Sequence, residues 1–288
     1  MNRIPFLVLA ALVGSSVALC QSPAPGIYGV GLGGLSPYAL YAVSPATGAG
    51  TLIGPIYGFT NVNAIAFAPS GVLYGFGSDP LFNPDLITVN PSTGAATKVA
   101  TITGFPGGST PNDFAFRSDG VLFASLPSGI YTINTSSGAA TLVGAAASPA
   151  ALAFSGANVL YLADATNLYT VNQSNANLTV VAALAFDPSL GTTPQIRRMK
   201  FDPVSGKLYA FVVNAANNNF LALVNSSTAA VSRIGATIQV SGGIAIPASG
   251  AVAISVPAIS SWGLAILGIL LAAIGQALIR PRARGTQA

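Results

Sequence analysis

Leu40-Tyr41-Ala42-Val43-Ser44-Pro45-Ala46-Thr47-Gly48-Ala49-Gly50-Thr51-Leu52-Ile53-Gly54 reads as a strand of alternating character, a polar turn and a second short strand. The pattern returns at Leu86-Ile87-Thr88-Val89-Asn90-Pro91-Ser92-Thr93-Gly94 and at Ile130-Tyr131-Thr132-Ile133-Asn134-Thr135-Ser136-Ser137-Gly138, each followed by Ala-Ala-Thr. Weaker copies begin at Leu168-Tyr169-Thr170-Val171-Asn172 and Leu221-Ala222-Leu223-Val224-Asn225. A second half-motif alternates with this one: an apolar strand, a turn and a Leu-Tyr-like strand, as in Ala64-Ile65-Ala66-Phe67 leading to Gly71-Val72-Leu73-Tyr74. Its last apolar residues, Phe67, Phe116, Phe154, Phe201 and Ile246, are spaced by 49, 38, 47 and 45 positions. Two hairpins per period of about 45 residues make four strands per unit, the arithmetic of a β-propeller blade.

The ends of the repeat region predict how the ring closes. Gly26-Ile27-Tyr28-Gly29 resembles the second strand of a blade whose first strand is missing, and Gly243-Ile244-Ala245-Ile246 is a first strand without a blade behind it. Pairing them completes a fifth blade and removes two open sheet edges. The fold class is therefore all-β, a five-bladed β-propeller. The alternatives are an incomplete six-bladed ring, with Ala251-Val252-Ala253-Ile254 continuing a sixth blade, and an open solenoid.

Composition excludes several classes. Of 288 residues, 51% are hydrophobic and 6% charged, with 32 Gly, 20 Pro, one Cys and no His. Disorder and helical bundles do not fit such a chain. The net charge of +4 comes from the ends: Arg3, Arg280, Arg282 and Arg284 account for the excess over seven Asp. The middle is neutral, without the basic stripe that nucleic acid requires. Without His there is no imidazole base or ligand, and without Cys in the mature body there is no thiolate site. No Glu is present, so a glycosidase would need two Asp residues. The expectation is a protein that is not an enzyme, with no catalytic residues, no metal and no cofactor. Gly29-Val30-Gly31-Leu32-Gly33-Gly34 lacks the βαβ context of a dinucleotide loop. Asp79, Asn83 and Asp85 lie in a Pro-rich turn without the pattern of an EF-hand, and Asn214 to Asn219 read as a loop needing left-handed backbone.

Both ends carry targeting features. Residues 1–20 form a signal peptide, with Arg3 before the apolar Phe6–Val13 and a small-x-small site at Ala18-Leu19-Cys20. Lipidation of Cys20 is the alternative, although Leu19 fits a lipobox poorly. Residues 21–255 form the ectodomain, and residues 256–288 a sorting segment. Within it, residues from about 262 to 279 are uncharged and near the roughly 20 residues that span a bilayer as a helix. Trp262 stands at the interface, and Arg280, Arg282 and Arg284 form a positive-inside stop.

Val256-Pro257-Ala258-Ile259-Ser260-Ser261-Trp262-Gly263 resembles the IPTL-CTERM sorting signal, Ile-Pro-Thr-Leu-Ser-Glu-Trp-Gly. Pro257, Ser260, Trp262 and Gly263 match, Val256 and Ile259 are conservative replacements, and Ala258 and Ser261 depart. The order of motif, apolar helix and basic tail is also that of the family. The resemblance implies a bacterial envelope protein, anchored in membrane lipid with its body outside the cytoplasm. Its processing enzyme would be an exosortase-like membrane protein. The repeats are similar to bacterial extracellular propellers of the quinoprotein-like and NHL-like kind, which brings no enzyme-defining motif.

The remaining signal is charge on the innermost strands. Alternation places Ala64, Asp113, Ala151, Arg198 and Gly243 with Ala66, Ala115, Ala153, Lys200 and Ala245 on one face, expected to line the central channel. Ile65, Phe114, Leu152, Met199 and Ile244 fall on the other, expected to pack between blades. Asp113, Arg198 and Lys200 interrupt a row of small residues, flanked by Asn63, Asn112 and Arg197. Buried charges must pair, meet water or hold a ligand. Three functions follow: a displayed, non-catalytic envelope propeller contacting surface polysaccharide or another envelope protein; a ligand-binding propeller using Asp113, Arg198 and Lys200; and a hydrolase using paired Asp.

Overall fold

The computed structural model describes residues 26–32, 38–107, 109–146 and 151–248. The first blade joins β1 (Ile27–Gly31), β2 (Ala39–Val43) and β3 (Gly50–Pro55) to the last strand of the ring, β21 (Val240–Ala245). The second is β4 (Thr60–Phe67), β5 (Leu73–Ser78), β6 (Pro84–Val89) and β7 (Ala96–Thr101). The third is β8 (Asp113–Phe116), β9 (Leu122–Leu126), β10 (Gly129–Ile133) and β11 (Ala140–Gly144). The fourth is β12 (Ala151–Phe154), β13 (Leu160–Ala163), β14 (Asn167–Val171) and β15 (Leu178–Ala183). The fifth is β17 (Gln195–Phe201), β18 (Leu208–Val213), β19 (Asn219–Val224) and β20 (Ala230–Ala236), its outer edge covered by the short parallel strand β16 (Ala185–Phe186).

Each innermost strand touches the next, β21 to β4, β4 to β8, β8 to β12, β12 to β17, and β17 back to β21. The result is a closed five-bladed propeller. Closure has the expected form: Tyr28 pairs with Ala245 and Gly29 with Ile244 in antiparallel register. The residues from Ala251 to Ile254, which would have begun a sixth blade, lie outside the described residues, as do the signal peptide, the sorting motif and the expected transmembrane helix. Among the described residues no helix is long and apolar enough to cross a membrane.

The packing between blades explains the repeat residues. Phe67, Phe116, Phe154 and Phe201 each set a ring against an aromatic of the preceding blade: Tyr28, Tyr74, Phe123 and Tyr161, with centroids 5.2–5.5 Å apart. Edge-on and tilted pairs of this kind add about 0.5–1.5 kcal/mol each beyond burial. At the fifth joint Ile246 packs in the same cluster as Tyr209 and no ring pair forms there.

One expectation is corrected. The small-residue face of an inner strand does not line an open channel; it receives the large residue of the next inner strand. Ala64 and Ala66 share a core with Phe114, Ala115 with Leu152, Ala151 and Ala153 with Met199, and Ala245 with Ile65. Gly243 shows how tight this is, because a methyl group there would collide with the backbone nitrogen of Ile65. In a five-membered ring the inner strands converge until small must meet large, and the row of alanines is the packing device.

Candidate functional site

All five inner strands begin at one mouth of the ring and end at the other. Asp113 opens β8, while Arg198 and Lys200 lie on β17, two blades further on. The structure brings Asp113 and Lys200 together on the axis: Lys200 Nζ lies 2.8 Å from Asp113 Oδ1, with Asp113 wholly buried and Lys200 8% exposed. Lys200 Nζ also donates to the carbonyls of Leu152 (2.9 Å) and Met199 (2.8 Å). Three acceptors around one nitrogen require three N–H groups, which only the ammonium supplies. Asp113 accepts four bonds, at Oδ1 from Phe114 N and Lys200, and at Oδ2 from Leu152 N and, at 3.4 Å, from Met199 N. Its four lone-pair positions are filled, as a carboxylate allows.

The physical reason lies in the sheet edges. An inner strand turns its unpaired N–H and C=O groups toward the axis, and buried polar backbone needs partners. The Asp113–Lys200 pair supplies them to Leu152 on the blade between the two and to Met199 beside Lys200, so that three blades are joined. Burial drives the Lys200 ammonium below the ordinary lysine value, and Asp113 opposes that shift by charge and hydrogen bond.

Arg198 takes a different place. Its Nε donates to the Asn63 carbonyl at 2.9 Å, on the second blade, and Nη1 donates to the Arg197 carbonyl at 2.7 Å. Desolvation lowers its proton affinity, Asp113 raises it, and the Arg197 charge lowers it again. Arg197 is the extra residue of a β-bulge, since the pairing of β17 with β18 shifts register between Ile196 and Arg198. Neighbouring strand residues ordinarily face opposite ways; a bulge re-aims one of them. Arg197 and Arg198 consequently line one cavity of about 260 Å³ with Asn112, Val240 and Gly242. The other mouth holds an apolar cavity of about 230 Å³, ringed by Phe67, Phe116, Phe154, Phe201 and Ile246, with Lys200 in its wall.

The other sequence candidates fall as follows. Asp79 and Asn83 bond each other within their own turn, while Asp85, fully buried, faces Lys98 at 2.8 Å. Those three oxygen donors do not converge, and among the described residues no group of three acidic, His or Cys side chains could hold a metal ion. Val256, Pro257, Ser260, Trp262 and Gly263, with Arg280, Arg282 and Arg284, lie outside the described residues. The bulge at Arg197 is what sequence reading missed; two adjacent arginines carry no mark that one of them is extra.

No family model matches the chain. No curated protein matches it either. Solved structures of similar fold do. One is a symmetrical protein whose de novo evolutionary emergence is described as shaped by folding constraints, at 18% identity over 77% of this chain and 99% of that one, TM-score 0.48. Another is the PQQ-bound aldose sugar dehydrogenase of Streptomyces coelicolor, at 13% identity over 73% and 81%, TM-score 0.45. A third is the gluconolactonase XC5397 of Xanthomonas campestris, at 14% identity over 79% and 77%, TM-score 0.43. The last two are named as enzymes. That corrects the expectation that the chain is not an enzyme, because the architecture it shares with them does not set catalysis aside.

Proposed function

We propose that this chain is an exported cell-envelope protein that carries its propeller outside the cytoplasm on a C-terminal anchor, sorted through its last thirty or so residues by an exosortase-like enzyme. The observation that supports this reading is the closure of the ring. The first and last strands of the propeller pair with each other within residues 27–245, so processing between Val256 and Trp262 would remove no strand of the described ring. The sorting motif, apolar run and arginine tail supply the address. Surface polysaccharide or another envelope protein is the partner class for the displayed body.

The test is intact mass and fractionation of the protein from its native envelope, beside a Trp262→Ala/Gly263→Ala variant. A wild-type mass ending between Val256 and Trp262, with the variant retained at full length in the membrane fraction, is the expected result. An unprocessed C-terminus in both refutes sorting by cleavage, and recovery of both in the cytosol refutes export.

A further inference from the structure

We propose that the mouth of the ring at Arg197 and Arg198 is a binding site for a small hydroxylated carboxylate, of the size and class of a single sugar acid. The chain contains seven Asp and no Glu, and their partners are known. Asp85 pairs with Lys98, Asp119 with Arg117 and Asp113 with Lys200. The other four, Asp164 and Asp187 among them, bond backbone and side-chain groups of their own turns. Among the described residues no carboxylate pairs with either arginine. Asp113 acts on Arg198 by charge, but its four acceptor positions are occupied and its ion pair is with Lys200.

Arg197 and Arg198 therefore line one recess, and neither forms an ion pair among the described residues. Arg198 is fixed there by the Asn63 and Arg197 carbonyls, which leaves Nη2 without a hydrogen bond among the described residues. Arg197 makes no side-chain hydrogen bond or ion pair among them. Arg197 is exposed and Arg198 partly buried, and an entering counter-ion eases the like charge beside a partly desolvated guanidinium. A bulge keeps them together, although regular alternation would part them. Arginine forks match carboxylates in bidentate geometry.

Size and lining narrow the class. At about 260 Å³ the recess is smaller than the roughly 300–1,000 Å³ pockets that take drug-sized ligands. Among the described residues its wall is Asn112, the two arginines and the strand around Val240 and Gly242, with no aromatic side chain. Hydroxyl groups suit such a wall, and a greasy acid would suit the Phe-lined cavity at the other mouth. The site is independent of export or anchoring.

The experiment is calorimetric titration of the full chain in detergent with D-glucuronate, D-glucose and sulfate, at low and high salt. The reference is Arg197→Gln, whose unchanged melting temperature shows that the ring is intact. Saturable glucuronate binding, weakened at least tenfold in Arg197→Gln and by added salt, with no glucose binding, is expected. Arg197→Lys should recover only part of the affinity. No saturable glucuronate binding, equal binding by Arg197→Gln, or glucose binding as tight as glucuronate would overturn the assignment. Sulfate matching glucuronate would overturn the sugar-acid class and leave only a bare oxyanion site.

Discussion

Asp113 and Lys200 hold three blades by filling each other's hydrogen-bonding capacity, so removing either leaves a buried charge alone. Asp113→Asn and Lys200→Met should each lower stability by about 3–5 kcal/mol. The double variant should fall short of the two separate losses by more than about 1 kcal/mol, because the partners are in contact. Denaturant titration of the four proteins measures this, and strict additivity would refute the coupling. A surface pair gives a pH prediction. Arg117 beside Asp119 holds that carboxyl down at about 2, through a side-chain hydrogen bond first. Because the folded value lies below the unfolded one of about 3.9, the contribution is complete above that pH and is lost as pH falls through the folded value. Arg117→Ala should return Asp119 to the ordinary range, read by carboxyl NMR titration. The charges themselves were visible in the sequence as interruptions of an alanine row. Their pairing across the axis was not, because it depends on which blades face each other and on edge groups no side-chain pattern records.

At the scale of the element, the hairpin turn is the repeating invention. In all five blades the fifth residue of the turn donates its N–H to the carbonyl of the first at 2.8 Å, from Gly48 to Ser44, Gly94 to Asn90, Gly138 to Asn134, Ala176 to Asn172 and Ala229 to Asn225. Where Asn comes first, its side-chain oxygen also accepts from the third residue's N–H at 2.8–2.9 Å. The fifth residue is left-handed every time, with φ from 56° to 77°. Glycine takes that conformation freely, whereas a side chain costs about 1–2 kcal/mol. Gly138→Ala should destabilise by at least that much, since its new methyl would also strike the Thr101 carbonyl of the previous blade. Ala229→Gly should be within about 1 kcal/mol of neutral: it relieves the same strain but removes a methyl buried in the fifth blade's core. Thermal melts of the two variants test this, and a greater loss in Ala229→Gly would contradict it. These turns were legible because their chemistry is local. Bulges were not: Arg197 has no glycine or unusual spacing to announce it.

For the whole molecule, blade number followed from the spacing of five apolar anchors, and closure from two half-blades at the ends. What the sequence misdirected was the role of the small face. Alternation tells which residues share a face, but whether that face meets a channel or another blade depends on ring size. The closing strand gives the corresponding prediction. A chain ending after Gln239 lacks β21 and uncovers Val30 and Ile65, which are fully buried in the ring. It should lose its cooperative melt, followed by circular dichroism, while a chain ending after Ala248 keeps the melting temperature of the full ring. Equal melts would show that β21 is dispensable.

That strand also decides how the ring answers a mechanical pull. Gly26 lies against Pro45, and Ile246 and Ala248 line the Phe-ringed mouth, so both ends of the described propeller leave at the face opposite the arginine pair. Hydrogen bonds between antiparallel strands run across the strand direction. A tug on Ala248 with the body held would draw β21 lengthwise, loading its rungs to Tyr28, Gly29 and Gly31 together. A tug that parts Ala248 from Gly26 would instead open the same rungs one at a time, beginning at Tyr28 and Ala245. The same seam is therefore strong against traction from one tether and weak against two ends being drawn apart, and a single-molecule pulling experiment would show two different rupture forces for it.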